Sequence, residues 1–236
     1  MMTNKNLNNI IKRLNASTLQ KGYILTPISL DVDLLEAWLP IPKIKDKYMH
    51  YTEPLRFYCV KFEGQYTSIV MDAVGDLHWF TTKQYRNQGI LKKALRNVIL
   101  PFIFIDRDEQ SISIDRGYLG KADFEASEKL ALGLDFQPIG MNRSGAQLYE
   151  LKSSDFHQNW QFECYAPGLP VAHLEELQLQ MQFYFRMIKM VRTEIYSKYG
   201  AVSIIDKLDK IDMLKRSTLD KFEDLKFEAS KAITNT

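Results

Sequence analysis

The stretch from Phe80 to Leu95, FTTKQYRNQGILKKAL, holds the residue types and spacing best suited to chemistry. His78, Trp79, Phe80, Thr81 and Thr82 are aromatic or β-branched enough to form a strand. From Gly89 to Leu100 the apolar residues Ile90, Leu91, Leu95, Val98 and Ile99 recur at helical spacing. The polar turn between them therefore opens a helix. Its unpaired backbone N–H groups and positive dipole end form a natural seat for phosphate. Gly89 removes a Cβ from that seat, and Arg86 adds a fixed positive charge.

The flanking segments must position this turn. Leu7, Ile10, Ile11 and Leu14 predict a short amphipathic helix over residues 3 to 15. Tyr23 to Leu30 reads as a strand interrupted by Pro27, and Asp31 caps a helix through Leu34, Leu35 and Trp38 that Pro40 ends. A loop up to Pro54 carries Tyr48, His50 and Tyr51. Leu55 to Phe62 and Tyr66 to Asp72 form a hairpin across Glu63, Gly64 and Gln65, and Leu77 to Thr82 follows the Gly75-Asp76 turn as a third strand. Gln110 to Arg116 alternates as a strand, Asp123 to Leu134 is helical, and Phe136 to Ile139 and Ala146 to Leu151 add two short strands.

In this setting Arg86, Asn87, Gln88, Gly89, Ile90 and Leu91 resemble the Q/R-x-x-G-x-G/A pyrophosphate loop of the GCN5-related N-acetyltransferases, with Leu91 where that family usually has Gly or Ala. The run EKLALGLDFQPIG, Glu128 to Gly140, is similar to the family's helix-turn-strand ending Y-x-x-x-G-F. There Ala131 stands at the usual Tyr and Asp135 at the usual Gly. The resemblance covers about residues 20 to 152. It implies an α/β (α+β) fold with a mixed, mostly antiparallel sheet, whose fourth and fifth strands splay to admit a pantetheine arm, Ser111 to Ile114 being the fifth. It further implies acetyl-coenzyme A as co-substrate and direct acetyl transfer to a primary amine of an unidentified acceptor. The cofactor-binding residues are then Phe80, Thr81, Thr82 and Arg86 through Leu91, with a backbone N–H near Phe80 or Thr81 stabilising the oxyanion. In many members that Tyr protonates the departing thiolate. With Ala131 in its place, Tyr118 in the Gly117 to Gly120 loop is the substitute.

The chemistry implied demands an uncharged amine. A lysine-like amine is neutral only about 0.04% of the time at pH 7, a penalty on the order of 4.6 kcal/mol. His78, Asp76 and Asp72 are candidate bases, since His titrates in a suitable range and burial tunes a carboxylate. The acceptor site would come from the loops at residues 40 to 54 and 117 to 123.

Composition bounds the rest. The chain has 236 residues, of which 45% are hydrophobic, enough for one sizeable domain and an appendage. With 31 basic and 29 acidic side chains, net charge +2, nothing in the balance favours nucleic acid or an anionic membrane. No uncharged apolar run approaches 18 residues, and the N-terminus lacks a signal-peptide core, so a membrane span and export are not expected. Cys59 and Cys164 lie far apart and read as free thiols in a reducing compartment, which makes the cytoplasm the expected location and Cys59 a core residue. His50, His78, His157 and His173 show no zinc spacing, so no metal site is expected.

On that resemblance the chain divides into an acyl-coenzyme A-binding domain over 1–152, followed by a mainly α-helical extension over 153–236. In the extension Leu174, Leu177, Met181, Tyr184, Ile188, Val191 and Ile195 form a seam, Gly200 breaks the helix, and Ile204, Leu208, Ile211, Phe222, Leu225 and Ala229 mark a second helix. A helical hairpin results, whose helices over 172–234 offer a surface for a homodimer or a protein partner. Two other functions compete with catalysis: a catalytically silent coenzyme A-binding module, and an interaction protein acting through these helices.

Overall fold

In the computed structural model, which describes residues 3–38, 53–73, 75–156 and 169–234, the chain divides into two compact units, 1–166 and 167–236. The loop residues 40 to 52, with Tyr48, His50 and Tyr51, lie outside the described residues, as does Cys164.

The first unit is built on one open sheet. Helix α1 (Asn4–Asn15) begins where the Thr3 hydroxyl accepts the Asn6 N–H at 3.3 Å, a normal N-cap. Strands β1 (Tyr23–Pro27), β2 (Val32–Ala37), β3 (Leu55–Phe62), β4 (Gln65–Ala73) and β5 (Asp76–Thr81) follow as an antiparallel run. After a 3₁₀ turn comes a helical rod: α2 (Ile90–Ala94), a π-helical segment (Leu95–Ile99) and α3 (Leu100–Ile103). Pro101 explains the π segment, because its ring excludes the carbonyl four residues back and the widened turn accommodates it. Next come β6 (Glu109–Ile114), α4 (Arg116–Leu119), α5 (Lys121–Leu132), β7 (Gln137–Met141) and β8 (Gln147–Lys152). The strand order is β1-β2-β3-β4-β5-β6-β8-β7, all pairs antiparallel except β5 with β6.

Residues 32 to 37 depart from the sequence expectation. The segment after Asp31 is a strand, β2, not a helix. Its side chains are apolar on both faces: Val32 and Leu34 join the core beneath α2, α3 and α5, while Leu35 and Ala37 join the core beneath α1. A strand between two covered faces carries a nearly continuous apolar run, which periodicity cannot separate from a helix. Pairing with β1 and β3 on both sides decides the matter. Asp33, 2% exposed on the α1 side, is held by the Lys61 ammonium at 3.0 Å and by the Tyr66 hydroxyl.

The β3–β4 hairpin forms as expected. Glu63 (φ 50°) and Gly64 (φ 76°) make a two-residue loop with both φ values positive, the combination that matches the twist of the strands. Gly117 and Tyr118, expected in a loop, belong to α4, whose N-cap Asp115 accepts the Gly117 and Tyr118 N–H groups. Cys59 is a free thiol, wholly buried under α1, and burial pushes its ionisation far up, which suits a packing residue.

The second unit is a helical pair, α6 (Val171–Tyr199) and α7 (Ser203–Thr234), reversed at Gly200 (φ 68°). Arg192 donates twice to Asp209 across the pair, at 2.9 and 3.1 Å, and the Gln178 amide donates to Glu223 at 2.8 Å. The expected seam forms in part: Leu174 is buried and Leu177, Met181, Ile188, Ile195, Leu208 and Phe222 are half-buried. Ile205 is buried, whereas Ile204, Ile211 and Leu225 are exposed, as are Tyr184 and Val191 of α6.

Candidate functional site

The site begins at the junction of β5 and β6. These strands pair in parallel only at Asp76 and Ser111, with the Ser111 N–H donating to the Gly75 carbonyl at 3.2 Å. Asp76 locks that point from the side, accepting the Ser113 N–H at 2.8 Å and its hydroxyl. Beyond it no further register pair joins the two strands among the described residues. Because Thr82 N–H bonds Thr67 of the neighbouring strand, alternation turns the backbone groups of Phe80 toward β4 and those of Trp79 and Thr81 toward the opening.

A cavity of about 600 Å³ occupies this region, within the range of small-molecule sites. It meets both layers of the unit. Asn4 of α1 lines it from one face, and Asp123, Ser127 and Leu130 of α5 line it from the other, with Trp79, Phe80 and Thr81 at the strand end between them. The turn from Tyr85 to Leu91, Gln88 apart, forms its rim. Of the charged side chains lining it, Arg86, Lys92 and Lys129 are cationic and Asp123 alone is anionic. That balance suits a polyanion.

The turn itself is shaped by two left-handed residues, Asn87 (φ 62°) and Gly89 (φ 75°), the latter being the N-cap of α2. An added Cβ on Gly89 would meet nothing within 4 Å, so the backbone angle, more than crowding within the chain, favours glycine there. Arg86 is already oriented: its Nε donates to the Thr81 carbonyl at 3.1 Å and its Nη1 to Asp123 at 3.0 Å. Leu91 is 8% exposed and packs into the core while touching the cavity.

Seven of the nine residues expected to bind a cofactor line this cavity: Phe80, Thr81, Arg86, Asn87, Gly89, Ile90 and Leu91. Thr82 and Gln88 do not; Thr82 bonds the Thr67 carbonyl through both N–H and hydroxyl, and Gln88 donates to the Gln84 carbonyl. The candidate acids and bases are less concentrated. Tyr118 is half exposed and not on the lining. Asp76 serves the β5–β6 junction. His78 lies beside the site, its Nε2 3.3 Å from Oδ1 of the lining residue Asn4, and burial pushes its ionisation down, which favours the neutral ring. Asp72 is buried in an ion pair with Arg107, whose Nη1 also donates to Gln110 at 2.8 Å. Ala131 is wholly buried and faces the core, so the position where the family resemblance puts a tyrosine does not look into the cavity.

Sequence reading missed the far wall. Asp123, Ser127 and Leu130 share one face of α5 at spacings of four and three, a pattern visible in the sequence once the partner of that face is known. Lys92 carried no such signal. Among the described residues, no group of three or more His, Cys, Asp or Glu is placed to hold a metal ion, and no helix is long and apolar enough to cross a membrane. No protein-family model matches the chain, and no curated protein matches it either.

Proposed function

We propose that the first unit binds acetyl-coenzyme A and catalyses transfer of its acetyl group to a primary amine, as the resemblance to the GCN5-related N-acetyltransferases implies. The observation that carries this reading is the cavity that runs from a glycine-capped, cation-rimmed turn past the end of β5, where β5 and β6 are joined at a single register pair. The residues present fit the ligand. The N–H groups of the turn and Arg86 suit its pyrophosphate. The outward backbone groups of Trp79 and the outward N–H of Thr81 suit an extended amide-containing arm. When bound, the thioester supplies an activated acyl group. The chain's own contribution is then orientation, exclusion of water, and a backbone N–H of β5 directed where negative charge develops. His78, neutral and next to Asn4, is the base best supplied with geometry; Ser127, Tyr85 and Thr81 are the hydroxyl-bearing residues on the lining.

A second reading, binding without turnover, is favoured by the wall opposite the turn, where Ala131 faces the core and Tyr118 is off the cavity. One experiment separates the two. Calorimetric titration of the whole protein with acetyl-coenzyme A is compared with Gly89→Asp, which puts a carboxylate in the anion seat at the cost of some strain at the positive φ. Saturable binding by the parent, weakened at least about tenfold in the variant at a temperature well below the variant's own melting point, supports the site. Thiol release with an amine panel then supports the enzyme; binding without release supports the silent module. No binding by the parent overturns both.

A further inference from the structure

We propose that Lys92 and Lys129 form a second anion subsite, separate from the pyrophosphate turn, which selects ligands bearing a phosphate monoester on the ribose. The inference rests on the cofactor reading above and deepens it.

Both ammonium-bearing side chains line the cavity, Lys92 from the first turn of α2 and Lys129 from the last turn of α5. Neither has a hydrogen-bond or ion-pair partner among the described residues. The nearby acceptors belong to another cation: Arg96 donates to the Gly133 carbonyl at 2.9 Å and to Asp135 at 2.8 Å. Arg86, by contrast, is paired with Asp123. Two unpaired positive charges therefore stand where α2 and α5 meet the cavity, next to a turn that already has an arginine of its own.

Gly133 points the same way. Its backbone (φ −72°, ψ −6°) is ordinary helix, so no conformational reason requires glycine. A Cβ built there would lie 2.8 Å from Lys92 Nζ, 3.3 Å from its Cε and 3.0 Å from the Lys129 carbonyl oxygen, so its absence leaves room for Lys92 against the end of α5. The lysine is thus laid across the end of α5, at the cavity wall. A phosphate monoester carries close to two negative charges at neutral pH and offers three acceptor oxygens, which suits two lysines lining one cavity. Coenzyme A has such a group on its ribose in addition to the pyrophosphate, and dephospho-coenzyme A lacks it.

The test is paired calorimetric titration of the whole protein with coenzyme A and dephospho-coenzyme A. The parent protein is expected to favour coenzyme A by about tenfold or more, the scale of one charge-assisted hydrogen bond. Lys92→Met and Lys129→Met should each reduce that ratio while leaving dephospho-coenzyme A affinity within about twofold. Gly133→Ala, which keeps both charges but displaces the Lys92 ammonium, should move the ratio in the same direction. The preference should also shrink as pH falls below about 6, where the monoester takes up a proton and keeps only one negative charge. Equal affinity of the parent for both ligands overturns the subsite and leaves the cofactor reading standing, as does equal weakening of both ligands by the lysine variants. Failure of both ligands to bind overturns the cofactor reading and the subsite with it.

Discussion

Single side chains at this site are held by their burial and their hydrogen-bond partners. His78 is the clearest case, because desolvation on the sheet face beneath α1 disfavours its charged form, the opposing field of Asp76 being weaker. A histidine whose folded ionisation is depressed contributes stability that is present above its unfolded pKa and is lost as pH falls through the folded value. Acid unfolding of the parent should therefore include a component beginning below about pH 6.5, the reference value for histidine. In His78→Gln, which keeps an amide near Asn4 but cannot titrate, the drop in chemical-denaturation stability between pH 7 and pH 5 should be smaller. An identical drop in both proteins would mean that His78 is solvated and freely protonated. If His78 also serves as the base, the same variant should depress turnover more at pH 7 than at pH 9, where free amine is more abundant.

At the scale of elements, α5 has two faces with different tasks. Asp123, Ser127 and Leu130 look into the cavity, while Ala131 is wholly buried in the core shared with Leu134 and Phe136. Restoring the family's tyrosine at position 131 should thus not create a proton donor. Ala131→Tyr forces a large ring into filled space, and overpacking of this kind costs typically about 1–3 kcal/mol or more. A fall in melting temperature of several degrees without gain in thiol release is the expected outcome; a gain in turnover would show that the helix rotates to present this residue. The same element-scale logic explains β2. An apolar run buried on both faces looks helical or extended with equal ease, and only its two neighbouring strands make it a strand.

For the whole molecule, the division into units has a functional consequence. The lining of the cavity comes from residues 4 to 133, within the first unit. Disrupting the helical pair should therefore leave cofactor affinity nearly unchanged. Phe185→Asp introduces a charge at a site 6% exposed in α6, and should reduce helical signal at about 222 nm or its thermal midpoint. Affinity for acetyl-coenzyme A should stay within about threefold of the parent, as for distant independent sites. A larger loss would tie the second unit to the cofactor site. Ile204, Ile211 and Leu225 recur at multiples of seven residues yet are exposed on α7.

Much of this protein is set by local sequence. The Glu63-Gly64 hairpin, the glycine-capped turn at 86 to 91 and the two long helices broken at Gly200 depend on backbone angles and periodicities that a few adjacent residues dictate. Tertiary structure alone decided the rest. Whether residues 32 to 37 form a strand depends on the two strands that flank them, β1 on one edge and β3 on the other. That Lys92 crosses Gly133 depends on two helices far apart in sequence meeting at one wall. That Asp72 is a buried ion-pair partner of Arg107, not a base in the cavity, depends on a contact spanning 35 residues. Contacts between distant segments leave no periodic trace in either segment, which is why the turn was legible and the wall facing it was not.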